Sequence, residues 1–340
     1  MDFNVLSNDI AIDFGTSNTR IYIKGRGLVL DEPSVIAFDS ICGEVIAAGA
    51  DAEAMLGRTP ASVTAIFPLA GGVICDCTLA EELLKALLRR VCPKTIIKPR
   101  IFMALPCGAT DVERRALRDA AVIAGARSVY IMSAPIAAAI GAKCDVMLPR
   151  GLMIADIGGG CCDFASVSVG QLASVSSSKT AGAAFTEAVT AHFRDYHSLS
   201  IGYLTAEHCK KEVGCVFPKE SNDRTTVKGL DLKTGLPAEI SVSCEELRDA
   251  LMPTVNEVAE ALKNAVDAVP SELLGDILED GILLTGAGAN MYGLVKRLHI
   301  DTELKLFLAP ESEYAVIRGL AAATENMERI SKELFTVYHG

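Results

Sequence analysis

A chain of 340 residues, half of them hydrophobic, is long enough to bury two sizeable cores or one fold carried twice. A net charge of −11, the absence of tryptophan and an aromatic content of 5% exclude a general nucleic-acid surface, which needs a basic face and stacking rings. No apolar stretch approaches the roughly 20 residues that span a bilayer, because Arg118, Arg127 and Lys143 interrupt the richest segments. The opening MDFNVLSNDIAID lacks the pattern of a secretory signal, so the expected location is the cytoplasm. The eleven cysteines fall in apolar runs without zinc-ligand spacing and are expected to be reduced, small core residues.

The first expected element is a β-hairpin over 10–24, IAIDFGTSNTRIYIK, where two apolar runs flank a turn of small polar residues. Further strands are expected at 34–38, 101–105, 129–132 and 282–285. Thr78 with Glu81 has capping-box spacing ahead of Leu83, Leu84, Leu87 and Leu88, and Thr110 with Glu113 repeats it before a helix that Gly125 stops. A second hairpin over 152–169, LMIADIGGGCCDFASVSV, copies the first: an aspartate closes the leading strand and glycines fill the turn. The copy implies internal duplication. Segment 215–237 is polar, turn-rich and strand-poor in its first half, and reads as a surface subdomain. Ser243 with Glu246 starts a long helix whose stripe from Leu247 to Val266 faces a core, with Pro253 placed to kink it. Mixed strands and helices in both halves make the class α/β.

Three turns have the composition of a phosphate pocket. In DFGTSNT, Gly15 frees the backbone to bend, the amides of Thr16, Ser17 and Asn18 can point into a concavity, and Asp13 suits a water-bearing magnesium ion. Taken alone, small polar residues at such a place simply make a turn. The second copy, DIGGGCCDF, suggests a polyphosphate clamped from both sides. In ILLTGAGANMYGL, Gly286 and Gly288 would let a purine or ribose lie against backbone, or merely close a tight strand-to-helix turn.

The ordered set DFGTSNTRIYIKGRGLVLDEPSV, MLGRTP, PLAGGVI, KPR, IAGARSVYIMSAPIAAAIGA, DIGGG, LTAEHCKKEVG, GLDLKTGLP and LLTGAGA resembles the MreB family of bacterial actins from end to end. The resemblance implies an actin-like ATPase fold: duplicated RNase H-like domains, with cores at 1–30 with 75–149 and 318–340, and at 150–181 with 238–317. Small subdomains would occupy 31–74 and 182–237. It implies ATP with Mg²⁺ near Asp13 and Asp156 through water. Thr16, Ser17 and Asn18 would lie on the first phosphate turn, Gly158, Gly159 and Gly160 on the second, and Gly286, Gly288 and Ala289 on the adenosine side. Glu207 and Lys210 would reach ribose and base from one helix face. Partners so implied are further copies of the chain or a paralogue in filaments, the inner face of the cell membrane, and the wall-elongation machinery, with no nucleic acid. Ile96 and Ile97, between Lys94 and Lys98, would be the membrane-inserting pair.

Four departures from the family stand out. Its EEP is replaced by Ser133, Ala134 and Pro135, which removes the carboxylate that resembles the orienter of attacking water. Its paired threonines become Cys161 and Cys162, and a thiol is a weak hydrogen bonder. Ala183 stands at a ribose-binding aspartate, and Ala287 at a middle glycine. The expectation is an MreB-like protein that binds ATP, forms membrane-associated filaments and helps determine cell shape, with hydrolysis weak or absent. The alternatives are a fully active filament ATPase, with another residue supplying the base or the water reached through Asp163, and a sugar kinase or chaperone-like ATPase of the same fold.

Overall fold

Alternating apolar residues build the first hairpin, Asp9–Phe14 with Asn18–Ile23: Ile10 pairs with Ile23 and Ile12 with Ile21, all four fully buried. Ala11, pointing the other way, is equally buried in a second cluster, so this sheet is covered on both faces. The computed structural model describes residues 9–92, 98–221, 223–326, 330 and 332–339. In it the first sheet runs Gly27–Pro33, Asn18–Ile23, Asp9–Phe14, Arg100–Leu105, Ser128–Ser133 and Thr336–His339. The second runs Gln171–Ser178, Cys162–Ser168, Leu152–Ile157, Ile282–Thr285 and Leu306–Leu308.

The two sheets share one plan. Each starts as a three-stranded antiparallel meander and continues with two parallel strands beyond the leading strand. The first adds one antiparallel strand at its far edge. In equivalent places Asp13 pairs with Arg20 and Asp156 with Asp163. Two smaller sheets stand apart, one with Ile36–Asp39 between Val45–Ala48 and Val63–Ile66, the other with Arg224–Asp231 between Leu199–Ser200 and Pro237–Ser243.

Helix starts follow the local chemistry, with one correction. The helix Cys77–Val91 is capped by Asp76, whose Oδ1 accepts from Leu79 N at 3.0 Å, so Thr78 lies inside it rather than at its cap. An aspartate two residues upstream with extended backbone is the better acceptor for the free N–H groups. Thr110 and Glu113 form both bonds of the capping box before Asp111–Ile123. Ser243 caps Cys244–Asp267, but the Glu246 side chain turns to His192 and His197 instead of closing a box. Pro253 sits within that helix without ending it.

Two helices join the halves. Ala134–Gly141 leaves the last parallel strand of the first sheet and packs on the second, while Ala315–Glu325 follows the last strand of the second sheet and packs on the first. They meet backbone to backbone: a Cβ at Gly141 would strike the Ala315 carbonyl, and one at Gly319 the Ala137 carbonyl. Their alanines and Ile136, Ile317 and Leu320 form a core with Phe102 and Met132 of one sheet and Ile154 and Val167 of the other. This shared core fixes the two hairpin turns opposite each other.

Candidate nucleotide cleft

The hairpin turns approach until they touch. A side chain at Gly159 would displace the Ser17 hydroxyl, and one at Gly160 would collide with Thr16 and with the Gly72 backbone, so glycine is required at the second position. Thr16 Oγ1 also accepts from Gly72 N at 2.9 Å, which ties in a third loop. The triple-glycine turn is held from behind by the start of the helix Gly182–His197, where Gly182 N donates to Gly158 O (3.1 Å) and Ala183 N to Gly159 O (2.7 Å). Ala183 thus contributes its backbone while its methyl offers no hydrogen bond. The Gly286 turn, with φ of 85°, is pinned by Ser312, whose hydroxyl donates to Gly286 O at 3.0 Å.

These turns enclose a cleft of about 540 Å³, within the size range of small-molecule sites. Asp13, Thr16, Ser17, Asn18, Asp156, Gly158, Gly159, Gly160, Glu207, Lys210, Gly286 and Gly288 all line it. Ala289 does not: it is buried at 1% exposure among core residues of the second half. Ala287 lines the cleft in its place. Ile96 and Ile97 lie outside the described residues.

Three carboxylates converge on the cleft. Asp156 is buried, accepts from Thr285 Oγ1 at 2.8 Å, and is pushed up to about 7 by loss of solvent and by the charges of Asp163 and Asp13, against the hydrogen bond. Asp13 is raised by burial despite Arg20, 3.4 Å away. Burial also raises Asp163, although Ser177 and Cys107 hydrogen-bond to it, the Cys107 Sγ at 3.2 Å. Clustered, desolvated carboxylate oxygens are the donor set of a hard divalent cation, and Mg²⁺ fits them. Amides of the two turns fit a polyphosphate.

On the far wall, partial burial raises the Glu207 carboxyl, but Lys210, Thr186 and Lys211 together hold it below the usual range. Glu207 Oε2 accepts from Lys210 Nζ and Thr186 Oγ1, both at 2.5 Å, and Lys210 also reaches Gly182 O at 2.9 Å. The pair therefore connects the helix Tyr203–Val213 to the helix that holds the glycine turn.

The altered positions divide. Ala134 and Cys161 face the cleft. Cys162 does not: it is the first residue of the strand Cys162–Ser168 and fully buried, its thiol 3.1 Å from Thr180 O, while Cys161 still belongs to the turn. Burial and the nearby aspartates push the Cys161 thiol well above its ordinary value, so it stays protonated. Ser133 supplies no substitute for the family's carboxylate; its Oγ is buried and has no hydrogen-bond partner among the described residues.

Residues 7–332 match the sequence family described as MreB/Mbl protein. The chain belongs to the MreB/Mbl family. It is 37% identical over 329 residues to the cell shape-determining protein Mbl of Bacillus cereus, covering 96% of this chain and 99% of that protein. To the cell shape-determining protein MreB of Escherichia coli K12 it is 38% identical over 338 residues, 98% and 97% of the two chains. Among solved structures it resembles MreB5 of Spiroplasma citri bound to AMPPNP, with TM-score 0.90, 32% identity, and coverage of 95% and 97%. A MamK double helical filament shares the fold at TM-score 0.77 and 17% identity, covering 94% and 99%. The fold is that of the actin-like ATPases, and the named relatives are cell shape-determining proteins.

For this MreB/Mbl member, reading the sequence overlooked Arg20, Gly72 and Cys107. Arg20 was accessible from hairpin register, since it lies as far after the first turn as Asp13 lies before it. Gly72 and Cys107 come from distant loops, and nothing local announces their meeting with Thr16 and Asp163.

Proposed function

We propose that this protein binds Mg·ATP in the cleft between its two halves, polymerises on the cytoplasmic membrane surface and takes part in cell-shape determination, with hydrolysis slow or absent. What supports this reading is that glycine turns and carboxylates line the cleft while Ala134, which the family resemblance matches to the water-orienting glutamate, lines it with a methyl alone. Bound Mg²⁺ would offset the charge of the phosphates, held by Asp13 and Asp156 through water. The turn amides at Thr16, Ser17, Gly159 and Gly160 would hold the phosphates, with Gly158 closing its turn on Cys161 O at 2.9 Å, and Glu207 with Lys210 would hold the ribose and base. The AMPPNP bound by the Spiroplasma relative supports an adenine nucleotide. Copies of the chain, or of a paralogue, would form the filament. The sequence around Ile96 and Ile97 supports membrane contact strengthened by polymerisation, and no helix among the described residues is long and apolar enough to cross a membrane. Association with the wall-elongation machinery follows from the relatives' role.

A second reading, an active ATPase, is favoured by one feature: Asp163 lines the cleft, where burial raises its carboxyl above the ordinary aspartate value. Loss of a positioned base typically costs 10²–10⁴-fold in rate. Calorimetry with Mg·ATP and single-turnover hydrolysis, followed by electron microscopy on lipid, test both readings. Tight binding with hydrolysis far below that of an active relative is expected; no binding ends the proposal, and a normal rate selects the second reading.

A further inference from the structure

Away from the cleft, His192, His197 and Glu246 bring their ligand atoms within 4.8 Å of one another. Nε2 of His192 lies 2.9 Å and Nε2 of His197 2.5 Å from a single oxygen, Oε1 of Glu246. We propose that these three side chains form a binding site for a divalent transition metal of the zinc class.

Two imidazoles and one carboxylate are a borderline nitrogen–oxygen set, which suits zinc better than magnesium or calcium, whose ligands are oxygens. Ligands about 2.0–2.1 Å from a tetrahedral ion stand about 3.4 Å apart. The carboxylate therefore withdraws by less than about 1 Å from each imidazole, and the two imidazole nitrogens, within 4.8 Å of each other, close toward the same spacing, adjustments that rotation of Glu246 and His197 provides. The set is carried by two helices rather than by loops, the better support for a metal site. Both histidines project from the end of Gly182–His197, and Glu246 from the first turn of Cys244–Asp267, where Ser243 caps its amide at 3.2 Å. The two helices share a core through Val189, Phe193, Leu247 and Leu251. The His192 ring stacks on Tyr196 at 5.4 Å with planes 12° apart, which limits its rotation. The three side chains are 14%, 19% and 27% exposed, so the ion is reachable and a fourth position stays open to water.

The position gives the site a role. His197 is the last helical residue before the chain departs into the smaller sheet at Leu199–Ser200, and Glu246 follows its return from Pro237–Ser243. A metal here ties together the two strands of chain by which that subdomain, with Glu207 and Lys210, is attached. It would fix the subdomain's posture against the second sheet.

The test uses the full-length protein freed of metal by a chelator, without nucleotide, so that it is independent of the proposed function. Zn²⁺ is titrated by calorimetry and Co²⁺ by visible absorption. One equivalent is expected to bind, with four-coordinate Co²⁺ bands and no sulfur-to-cobalt charge-transfer band, which distinguishes this site from the eleven cysteines. His197→Gln and His192→Asn should each weaken Zn²⁺ by more than about tenfold, the scale reached by loss of even an outer partner, with an unchanged circular dichroism spectrum. Glu246→Gln should do the same if it folds, and the histidine variants decide the matter if it does not. Absence of stoichiometric binding, a thiolate spectrum, or unaltered affinity in the double histidine variant overturns the proposal.

Discussion

Arg20 faces Asp13 across the first hairpin, 3.4 Å away, at the register position that an aspartate occupies in the second hairpin. The duplication is therefore electrostatically asymmetric. The first half carries its own counter-charge beside its carboxylate, further held by Tyr314, whose ring lies 4.9 Å from the guanidinium. The second half sets Asp163 beside Asp156 and leaves compensation to protons or a cation. Arg20→Gln is expected to destabilise the metal-free protein by about 1–3 kcal/mol, the value of a charged hydrogen bond. It should also make nucleotide binding depend more steeply on Mg²⁺. Denaturant melts and calorimetry across a magnesium series measure both effects.

Ala134 opens the helix Ala134–Gly141, where an acidic side chain complements the helix dipole. Ala134→Glu should raise single-turnover hydrolysis by a factor approaching 10²–10⁴, the contribution of a positioned base, without tightening ATP. An unchanged rate would mean that the missing carboxylate does not limit the reaction.

Gly159→Ala places a methyl against the Ser17 hydroxyl. The Ser17 hydroxyl must then turn out of the phosphate turn, so ATP affinity is expected to fall about tenfold, equivalent to 1.4 kcal/mol. The paired change with Ser17→Gly removes the clash and should recover part of the loss, which nucleotide calorimetry on the two variants detects.

The Glu207–Lys210 pair makes a pH prediction. Burial raises the glutamate, but Lys210 together with Thr186 and Lys211 outweighs it, so its folded value lies below the unfolded 4.5. The pair's contribution is complete above the unfolded value and is lost as pH falls through the folded one. Glu207→Gln should cost about 1–3 kcal/mol at neutral pH, and the gap from the parent should close as pH drops below 4.5. Melting the two proteins from pH 7 to pH 3 tests the sign; a gap that widens in acid would refute it.

The fold was legible wherever a local rule governed it. Alternation marked both hairpins, and the capping box at Thr110 marked its helix, because those signals act over a few residues. Asp76 displaced Thr78 because caps compete, and backbone conformation chooses the winner. Cys161 and Cys162 looked equivalent as letters, but the turn leaves one in the cleft and the start of the strand buries the other in the core. The convergence of His192 and His197 on Glu246 spans 54 and 49 positions. Only the packing of two helices creates it, so no local pattern could announce it.

The glycine contacts between Ala134–Gly141 and Ala315–Glu325 have a mechanical corollary. With no side chain between the backbones, the seam has little slack to compress, so the lobes move most easily by rolling around it. The seam would then act as a fulcrum, turning a slight roll there into a larger excursion at the distant rims.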